Sequence, residues 1–302
     1  MSAPSDRSLA RRLALAVPTL WMAALFLTPF ALVAKVSLST PALSQPPYAP
    51  VFALAEGAAA ALDKFGELGV AAYRALLDDD LYLASYLGSL RLAAIATALT
   101  LLVAYPLALA IARAPRRRRA GLLMLAIAPF WTSFLIRVYA WIMLIKDEGL
   151  INHALMASGL VAEPLRIFAT DAAVVIGVVY SYLPFMVMPL YAALEGQDAA
   201  LREAAADLGA PPLRVFWRVT APLSLPGVLA GSLLVFIPAV GEFVIPDLLG
   251  GSDTLMIGRT LWAEFFSNRD WPAAAAVAIV MLAMLAPMLV LYERLQMREA
   301  GR

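Results

Sequence analysis

Six long apolar stretches, separated by polar segments, dominate the pattern of this 302-residue chain. A helix needs about 20 apolar residues to cross the hydrocarbon core of a bilayer. The stretches have roughly that length and lie at residues 13–36, 86–112, 121–145, 172–194, 227–245 and 272–292. The pattern therefore predicts an all-α integral membrane protein with six transmembrane helices in a single domain over residues 1–302.

The composition supports a membrane protein and excludes several kinds of site. The chain is 62% hydrophobic and 15% charged, with a mean hydropathy of +0.80, which is too apolar for a soluble domain of this length. It has no cysteine and only one histidine, His153, so a thiolate or multi-histidine metal site is excluded and no metal site is expected. A net charge of +1 gives no indication of nucleic-acid binding.

The charged residues are distributed unevenly between the two sets of loops. One set, which includes both termini and the run Arg116–Arg119, carries 14 basic and 7 acidic residues, whereas the opposite set carries 7 basic and 14 acidic residues. Basic residues remain on the cytoplasmic side of membrane proteins. Both termini are therefore predicted to be cytoplasmic. The first apolar stretch resembles a signal peptide in its charged start, but its length favours a retained helix.

A long external loop is predicted at residues 37–85. It begins with several prolines and continues as an amphipathic stretch to Leu77. The acidic triplet Asp78–Asp80 precedes the second apolar stretch. Both a solvated loop and a docking role remain open for this triplet.

The most polar long segment between apolar stretches is the cytoplasmic loop at residues 195–226. Leu201, Ala205 and Leu208 recur at helical spacing. Gly209 stands where a helix would end in a left-handed residue, and two prolines follow it. The pattern predicts two short helical arms joined at a glycine, a shape suited to docking on a soluble partner.

This loop resembles the coupling loop of ATP-binding-cassette (ABC) importer permeases. The resemblance is carried, in order, by Glu203, Ala204, Ala205, Asp207, Gly209 and Pro222. The usual Ile-x-Leu-Pro ending reads Val219-Thr220-Ala221-Pro222 here, so alanine replaces leucine. The resemblance implies that the loop docks on an ATPase subunit.

Further segments resemble spermidine/putrescine importer permeases. They are Tyr105-Pro106-Leu107-Ala108, Pro129-Phe130-Trp131-Thr132-Ser133, Arg137-Val138-Tyr139-Ala140-Trp141, residues 241–251 and Asn268-Arg269-Asp270-Trp271-Pro272. The resemblance implies a six-helix, MetI-like permease of the bacterial inner membrane that imports polyamines or another small organic solute by alternating access. It also implies three kinds of partner: a second, homologous permease subunit, an ATPase dimer and an external solute-binding protein.

One acidic residue lies within a predicted membrane helix. Glu242 follows Pro238 and Gly241, which favour local unwinding of the helix. An ionisable group in this position must face protein or water. Glu242 therefore either attracts a cation in transit or forms an internal ion pair, for which Arg137 is the candidate partner. Trp131, Tyr139 and Tyr182 offer aromatic faces to a cationic substrate, although packing explains most such aromatics.

Other functions have weaker support in the sequence. A phosphate-binding loop needs a lysine after glycine, and none of Lys35, Lys64 and Lys146 follows one. The chain is therefore expected to bind no cofactor itself, with ATP and Mg²⁺ held by the partner ATPase. A self-contained secondary transporter remains an alternative, although such transporters usually have repeated halves. An intramembrane enzyme ranks last because no nucleophile–base pattern occurs.

Overall fold

A computed structural model describes residues 4–52 and 57–300. The chain forms two compact units. The first comprises Met1–Asp80 and Leu261–Ala283, and the second comprises Leu81–Thr260 and Met284–Arg302. The described residues are helical almost throughout, which agrees with the predicted all-α class.

The first unit contains a long helix, a short strand pair and two shorter helices. Its elements are α1 (Pro4–Ser37), β1 (Thr40–Pro41), β2 (Tyr48–Ala49), α2 (Gly57–Gly66), α3 (Ala71–Asp78), a π-helical turn (Ala263–Ser267) and the start of α15 (Trp271–Ala300). The strands pair antiparallel, with Thr40 opposite Ala49. The predicted external loop at residues 37–85 therefore has secondary structure of its own.

The end of α1 is attached to this strand pair through Lys35. Its ammonium group lies 4.3 Å from the ring centre of Tyr48 and 4.9 Å from that of Phe52, and it donates a hydrogen bond to the carbonyl of Pro50. A cation above aromatic faces is stabilised by the ring quadrupole. The lysine thus orders the first part of the external loop.

The second unit holds most of the helices. They are α4 (Asp80–Arg113), α5 (Arg116–Ile127), α6 (Phe134–Ile145), α7 (Leu150–Ala157), α8 (Asp171–Glu195), α9 (Ala199–Asp207), α10 (Pro212–Val215), α11 (Ala221–Leu223), α12 (Leu225–Val240), α13 (Val244–Leu249), α14 (Ile257–Trp262) and the end of α15. Short 3₁₀ and π segments occupy Ala128–Trp131 and Phe216–Thr220.

The core of the second unit lies where α4, α8 and α12 pack together. Ala104, Met186, Leu190 and Val235 are completely buried there. Small residues allow the helices to approach closely. A Cβ atom on Gly227 would lie 2.6 Å from the Cβ of Ala193 and 2.7 Å from the carbonyl oxygen of Pro189. No larger residue fits at Gly227 without a shift of α8 or α12.

Four continuous stretches are long and apolar enough to cross a membrane, within the part of the chain that the structure describes. They are Ala14–Ser37, Asp80–Arg113, Asp171–Glu195 and Trp271–Arg294. Two bent pairs bring the number to six if each pair is one span: Arg116–Trp131 with Phe134–Ala157, and Pro212–Leu223 with Leu225–Val240. The predicted spans thus correspond to the four continuous helices, to the bent pair Arg116–Trp131 with Phe134–Ala157, and to α12 alone, because Pro212–Leu223 lies in the predicted loop at residues 195–226.

The third and fifth predicted spans differ from simple helices. The 87° bend in the third follows Thr132 and Ser133, whose backbones are extended with ψ of 155° and 135°. The fifth was predicted to continue to residue 245, but its helix ends at Val240 and a turn follows. The predicted unwinding near Gly241 is therefore confirmed.

A polar network joins helix ends of the second unit. Arg91 on α4 forms an ion pair with Asp171, the first residue of α8. The other carboxylate oxygen of Asp171 accepts a hydrogen bond of 2.8 Å from the hydroxyl of Thr254. Arg91 thus pairs with Asp171 while most of its side chain stays exposed.

Candidate functional site

The loop between α8 and α12 contains the two predicted helical arms. The first arm is α9, and the carboxylate of Asp198 accepts a hydrogen bond of 2.9 Å from the amide of Ala200 at its start. Asparagine, aspartate, serine and threonine are preferred at this position because they satisfy free amides of the first turn. The helix therefore begins where the sequence changes from apolar to polar.

A glycine turn ends α9. Gly209 has φ of +81°, and its amide bonds to the carbonyl of Ala206 at 2.8 Å, while the amide of Ala210 bonds to that of Ala205 at 3.1 Å. This pair of bonds is the Schellman motif, in which glycine is favoured because positive φ strains other residues. The predicted left-handed glycine is confirmed.

The second arm is formed by α10 and the π segment Phe216–Thr220. The side-chain amide of Gln197 donates to the carbonyl of Thr220 at 3.1 Å, so the start of the first arm is tied to the end of the second. The ring of Phe216 meets Tyr105 of α4 edge-on at 5.6 Å. Both arms are therefore attached to each other and to the transmembrane core of this unit.

The residues predicted for the coupling loop lie on these arms. Glu203, Ala204, Ala205 and Asp207 are on α9, Gly209 is in the turn and Pro222 is in α11. Glu203 lines a cavity of about 490 Å³ between the arms, together with Ala206, Pro212 and Val215. Glu203 thus faces a space that the second arm also borders, and it is exposed, as are Ala204, Asp207, Gly209 and Pro222.

Sequence analysis missed an exposed apolar surface on this loop. Leu208 is 89% exposed, Leu213 is 70% exposed and Trp217 is 65% exposed. Exposed apolar groups outside the membrane mark surfaces that bind partners. In the sequence, Leu208 stands out only through its helical spacing with Leu201 and Ala205. Leu208 and Leu213 lie on either side of the turn at residues 209–212, and this position in a polar loop could have indicated an exposed apolar surface.

Glu242 lies in the turn between α12 and α13. Its Oε2 accepts a hydrogen bond of 2.6 Å from the hydroxyl of Tyr182, and its Oε1 accepts one of 3.0 Å from the amide of Val244. The side chain therefore caps the first turn of α13, where a negative charge is stabilised by free amides. Glu242 is half-buried, and both of its carboxylate oxygens accept hydrogen bonds from the protein.

The predicted alternative in which Glu242 pairs with Arg137 is wrong. The guanidinium group of Arg137 lies 4.8 Å from the ring centre of Phe130 and 5.8 Å from that of Phe134. Arg137 is buried, and its Nε has no hydrogen-bond partner. The aromatic faces stabilise its charge in place of a carboxylate.

The aromatic residues predicted for the substrate pathway do not form one cluster. Tyr182 contacts Glu242 and lies 5.9 Å from Phe185, ring centre to ring centre. Trp131 is 73% exposed beside the bend in the third span, and Tyr139 is 54% exposed on α6. The structure therefore joins Tyr182 to Glu242 and leaves Trp131 and Tyr139 on the surface of this chain.

Several helices that are long and apolar enough to cross a membrane, together with a polar loop between two of them, define the class of integral membrane proteins. The sequence matches the family described as binding-protein-dependent transport system inner membrane component over residues 104–299. The chain belongs to this family. It is therefore a multi-pass inner-membrane permease.

Individual relatives are similar over most of the chain. The spermidine/putrescine transport system permease protein PotB of Escherichia coli (strain K12) is 45% identical over 222 residues, covering 74% of this chain and 80% of the relative. PotB of Haemophilus influenzae is 42% identical over 218 residues, covering 72% and 76%.

A solved structure supports the fold. A chain of a bacterial alginate ABC transporter, in complex with an alginate pentasaccharide-bound periplasmic protein, has a TM-score of 0.71 to this chain. The match covers 97% of this chain and 96% of that chain at 14% identity. The fold is therefore that of an ABC transporter permease, as the sequence predicted.

Proposed function

We propose that this protein is one permease subunit of an ATP-driven importer for polyamines such as spermidine and putrescine. Its similarity to the PotB proteins over about three quarters of the chain is the observation that carries the substrate class. A second, homologous permease completes the translocation pathway. An external solute-binding protein delivers the substrate, and both termini of this chain are cytoplasmic.

The energy comes from a partner ATPase dimer that holds ATP and Mg²⁺, and this chain binds no cofactor. The loop from α9 to α11 docks on that partner through Leu208, Leu213 and Trp217. Their exposed apolar side chains become buried in the interface. Glu203 and Gly209 give the loop its charge and shape. A docking loop transmits movement only if it contacts the two ATPase states differently.

Glu242 is the candidate countercharge for the substrate inside the membrane. A linear polyamine carries separated ammonium groups joined by aliphatic spacers. A half-buried carboxylate attracts such a cation, and the ring of Tyr182 beside it offers an aromatic face. The surplus of acidic residues in the predicted external loops raises the local concentration of cations near the entrance.

The test is competition for uptake by membranes that contain the full complex. Labelled spermidine uptake is measured with excess putrescine, unlabelled spermidine, a neutral amino acid or an anionic solute as competitor. We expect both polyamines to compete and the others not to. A complex with an ATPase-inactive partner is the control and should show no uptake. If labelled spermidine is not taken up but a labelled neutral amino acid is, the substrate belongs to the other small organic solutes.

A further inference from the structure

A second polar cavity lies at the ends of four helices of the second unit. Its volume is about 330 Å³. The helices that surround it are α4, α5, α8 and α9. Its charged lining consists of Arg113, Arg116, Arg119, Arg202, Glu195 and Asp198. Four arginines and two carboxylates give the lining a net charge of +2.

Both carboxylates of this lining already have partners within the protein. Glu195 accepts a hydrogen bond of 3.0 Å from Arg119, whose Nε donates to the carbonyl of Ala114 at 2.8 Å. Asp198 caps α9 through the amide of Ala200. Arg119 is therefore neutralised and fixed in place. The other three arginines have no carboxylate of another described residue within hydrogen-bond distance, although Arg113 and Arg202 also line the neighbouring cavity of Glu203.

Arg113, Arg116 and Arg202 come from three different helices and converge on the same space. Arg113 and Arg202 make no hydrogen bond or ion pair with another described residue, and Arg116 interacts with Glu195 only at longer range. Three guanidinium groups held close together repel one another. A bound anion removes this repulsion and supplies acceptors for their N–H groups.

The backbone adds to the positive potential of the cavity. Arg116 is the first residue of α5, and Ala199 at the start of α9 also lines the cavity. The start of a helix carries a partial positive charge and free amides. Two such starts therefore face the space that the arginines surround.

The cavity lies at the ends of membrane-spanning helices, close to the expected membrane surface. Leu109, Ala112 and Leu194, from the ends of two membrane-spanning helices, form its apolar side. With the cytoplasmic placement of this loop proposed above, the cavity lies at the level of the inner leaflet's headgroups. Basic pockets between transmembrane helices on this side bind phospholipid headgroups.

We propose that this cavity binds a phosphate group, held by Arg113, Arg116 and Arg202. Guanidinium groups match phosphate oxygens in charge and in bidentate geometry. The two sources of this chemistry are the phosphodiester headgroup of an anionic phospholipid and free inorganic phosphate. Because Arg202 precedes Glu203 on α9, the bound group connects the membrane surface to the coupling loop.

The chain provides a control for general attraction to an anionic surface. Arg117 and Arg118 belong to the same basic run and are exposed, as Arg113 and Arg116 are, but neither Arg117 nor Arg118 lines the cavity. If the arginines act only as a determinant of membrane topology, any two of them contribute alike. A specific site instead distinguishes Arg113 and Arg116 from Arg117 and Arg118.

The experiment is calorimetric titration of the detergent-solubilised transporter complex with short-chain phosphatidylglycerol, short-chain phosphatidylcholine and inorganic phosphate. We expect phosphatidylglycerol to bind and phosphatidylcholine not to. The double variant R113Q/R116Q should bind about tenfold more weakly, as the loss of charge-assisted hydrogen bonds requires. R117Q/R118Q should retain wild-type affinity. Competition by inorganic phosphate would identify free phosphate as a ligand, and its failure would assign the site to the lipid.

Two outcomes would overturn the proposal. One is equal weakening in both double variants, and the other is no binding of either phosphatidylglycerol or phosphate by the wild type. If R113Q/R116Q does not fold, the proposal is tested on the wild-type complex alone. Its thermal unfolding midpoint must then be higher with phosphatidylglycerol or phosphate than with phosphatidylcholine. These readouts do not depend on polyamine uptake, so failure of the proposed substrate leaves them interpretable.

Discussion

Tyr182 of α8 donates a hydrogen bond of 2.6 Å to Glu242 in the turn that follows α12. The two residues are 60 positions apart, and the proposed coupling loop lies between them in the chain. A hydrogen bond to a charged acceptor is stronger than one between neutral groups. The bond therefore fixes the proposed substrate ligand on the helix that leads to the docking loop.

The first prediction concerns the charge of Glu242. Glu242→Gln keeps a similar shape and an acceptor oxygen but removes the countercharge for an ammonium group. We expect uptake of spermidine to fall about tenfold, corresponding to roughly 1.4 kcal/mol. Glu163→Gln is the control because it removes one negative charge from an exposed position. Unchanged uptake in the Glu242 variant would show that this carboxylate only caps α13.

The second prediction separates stability from transport at Tyr182. Tyr182→Phe removes the donor to Glu242 and should lower the free energy of unfolding by about 1–2 kcal/mol. The ring of Tyr180 packs edge-on against Trp141, with 5.5 Å between the ring centres. Tyr180→Phe keeps this ring and should leave the free energy of unfolding almost unchanged. Thermal unfolding in detergent, followed by fluorescence, compares the two variants. Equal midpoints would mean that the hydrogen bond contributes no net stability.

The third prediction concerns coupling to the ATPase. Gly209→Val places a β-branched residue at positive φ, at a cost of about 1–3 kcal/mol, and Glu203→Lys reverses a charge on the first arm. Both should abolish uptake and substrate-stimulated ATP hydrolysis without preventing membrane insertion. Gly159→Val is the matched control, since Gly159 also has positive φ, +72°, with open space around it. The coupling role is excluded if the Gly159 and Gly209 variants transport equally well.

The fourth prediction concerns orientation in the membrane. Reporters fused after Arg116 and Gly196 should give cytoplasmic signals. Reporters fused after Lys64, Gly159 and Ser252 should give external signals, because the arginine-rich loops remain inside. A phosphatase and a fluorescent protein, which are active on opposite sides, supply complementary readouts. A cytoplasmic signal at Lys64 would contradict a retained first span.

The fifth prediction tests helix packing with one substitution at two sites. Gly227→Ala introduces a Cβ within 2.6 Å of Ala193 and should destabilise the protein by about 1–3 kcal/mol. Gly121→Ala lies on an exposed face of α5 with nothing within 4 Å, and it should stabilise the protein by about 0.5–1 kcal/mol. The thermal midpoints should move in opposite directions. A shift of the same sign would remove the packing argument.

The sequence predicted the parts of the fold that follow from local physics. Span positions follow from hydrophobic length, and the turn at Gly209 follows from the requirement for positive φ before two prolines. The bend after Trp131 was not predicted because Thr132 and Ser133 are uncharged and interrupt an apolar run only briefly. A hydropathy average over 20 residues does not detect two residues with an extended backbone conformation.

Side-chain contacts between residues far apart in the chain could not be predicted from the sequence. Arg91 pairs with Asp171, which is 80 positions away in the sequence. Arg137 was considered as a partner of Glu242, yet Phe130 and Phe134 surround it. Periodicity identifies which residues face inward but does not determine which residue of another helix they meet. A single sequence contains no direct record of those pairings.

The close approach of α8 and α12 at Gly227 has a mechanical consequence. These helices are the two stems on either side of the coupling loop, and with glycine against backbone they have no room to slide past each other. Close-packed interiors are stiff and have low compressibility. We expect a displacement of the loop to move the packed parts of both stems together. Glu242 follows the far end of α12, so such a movement would also carry this carboxylate.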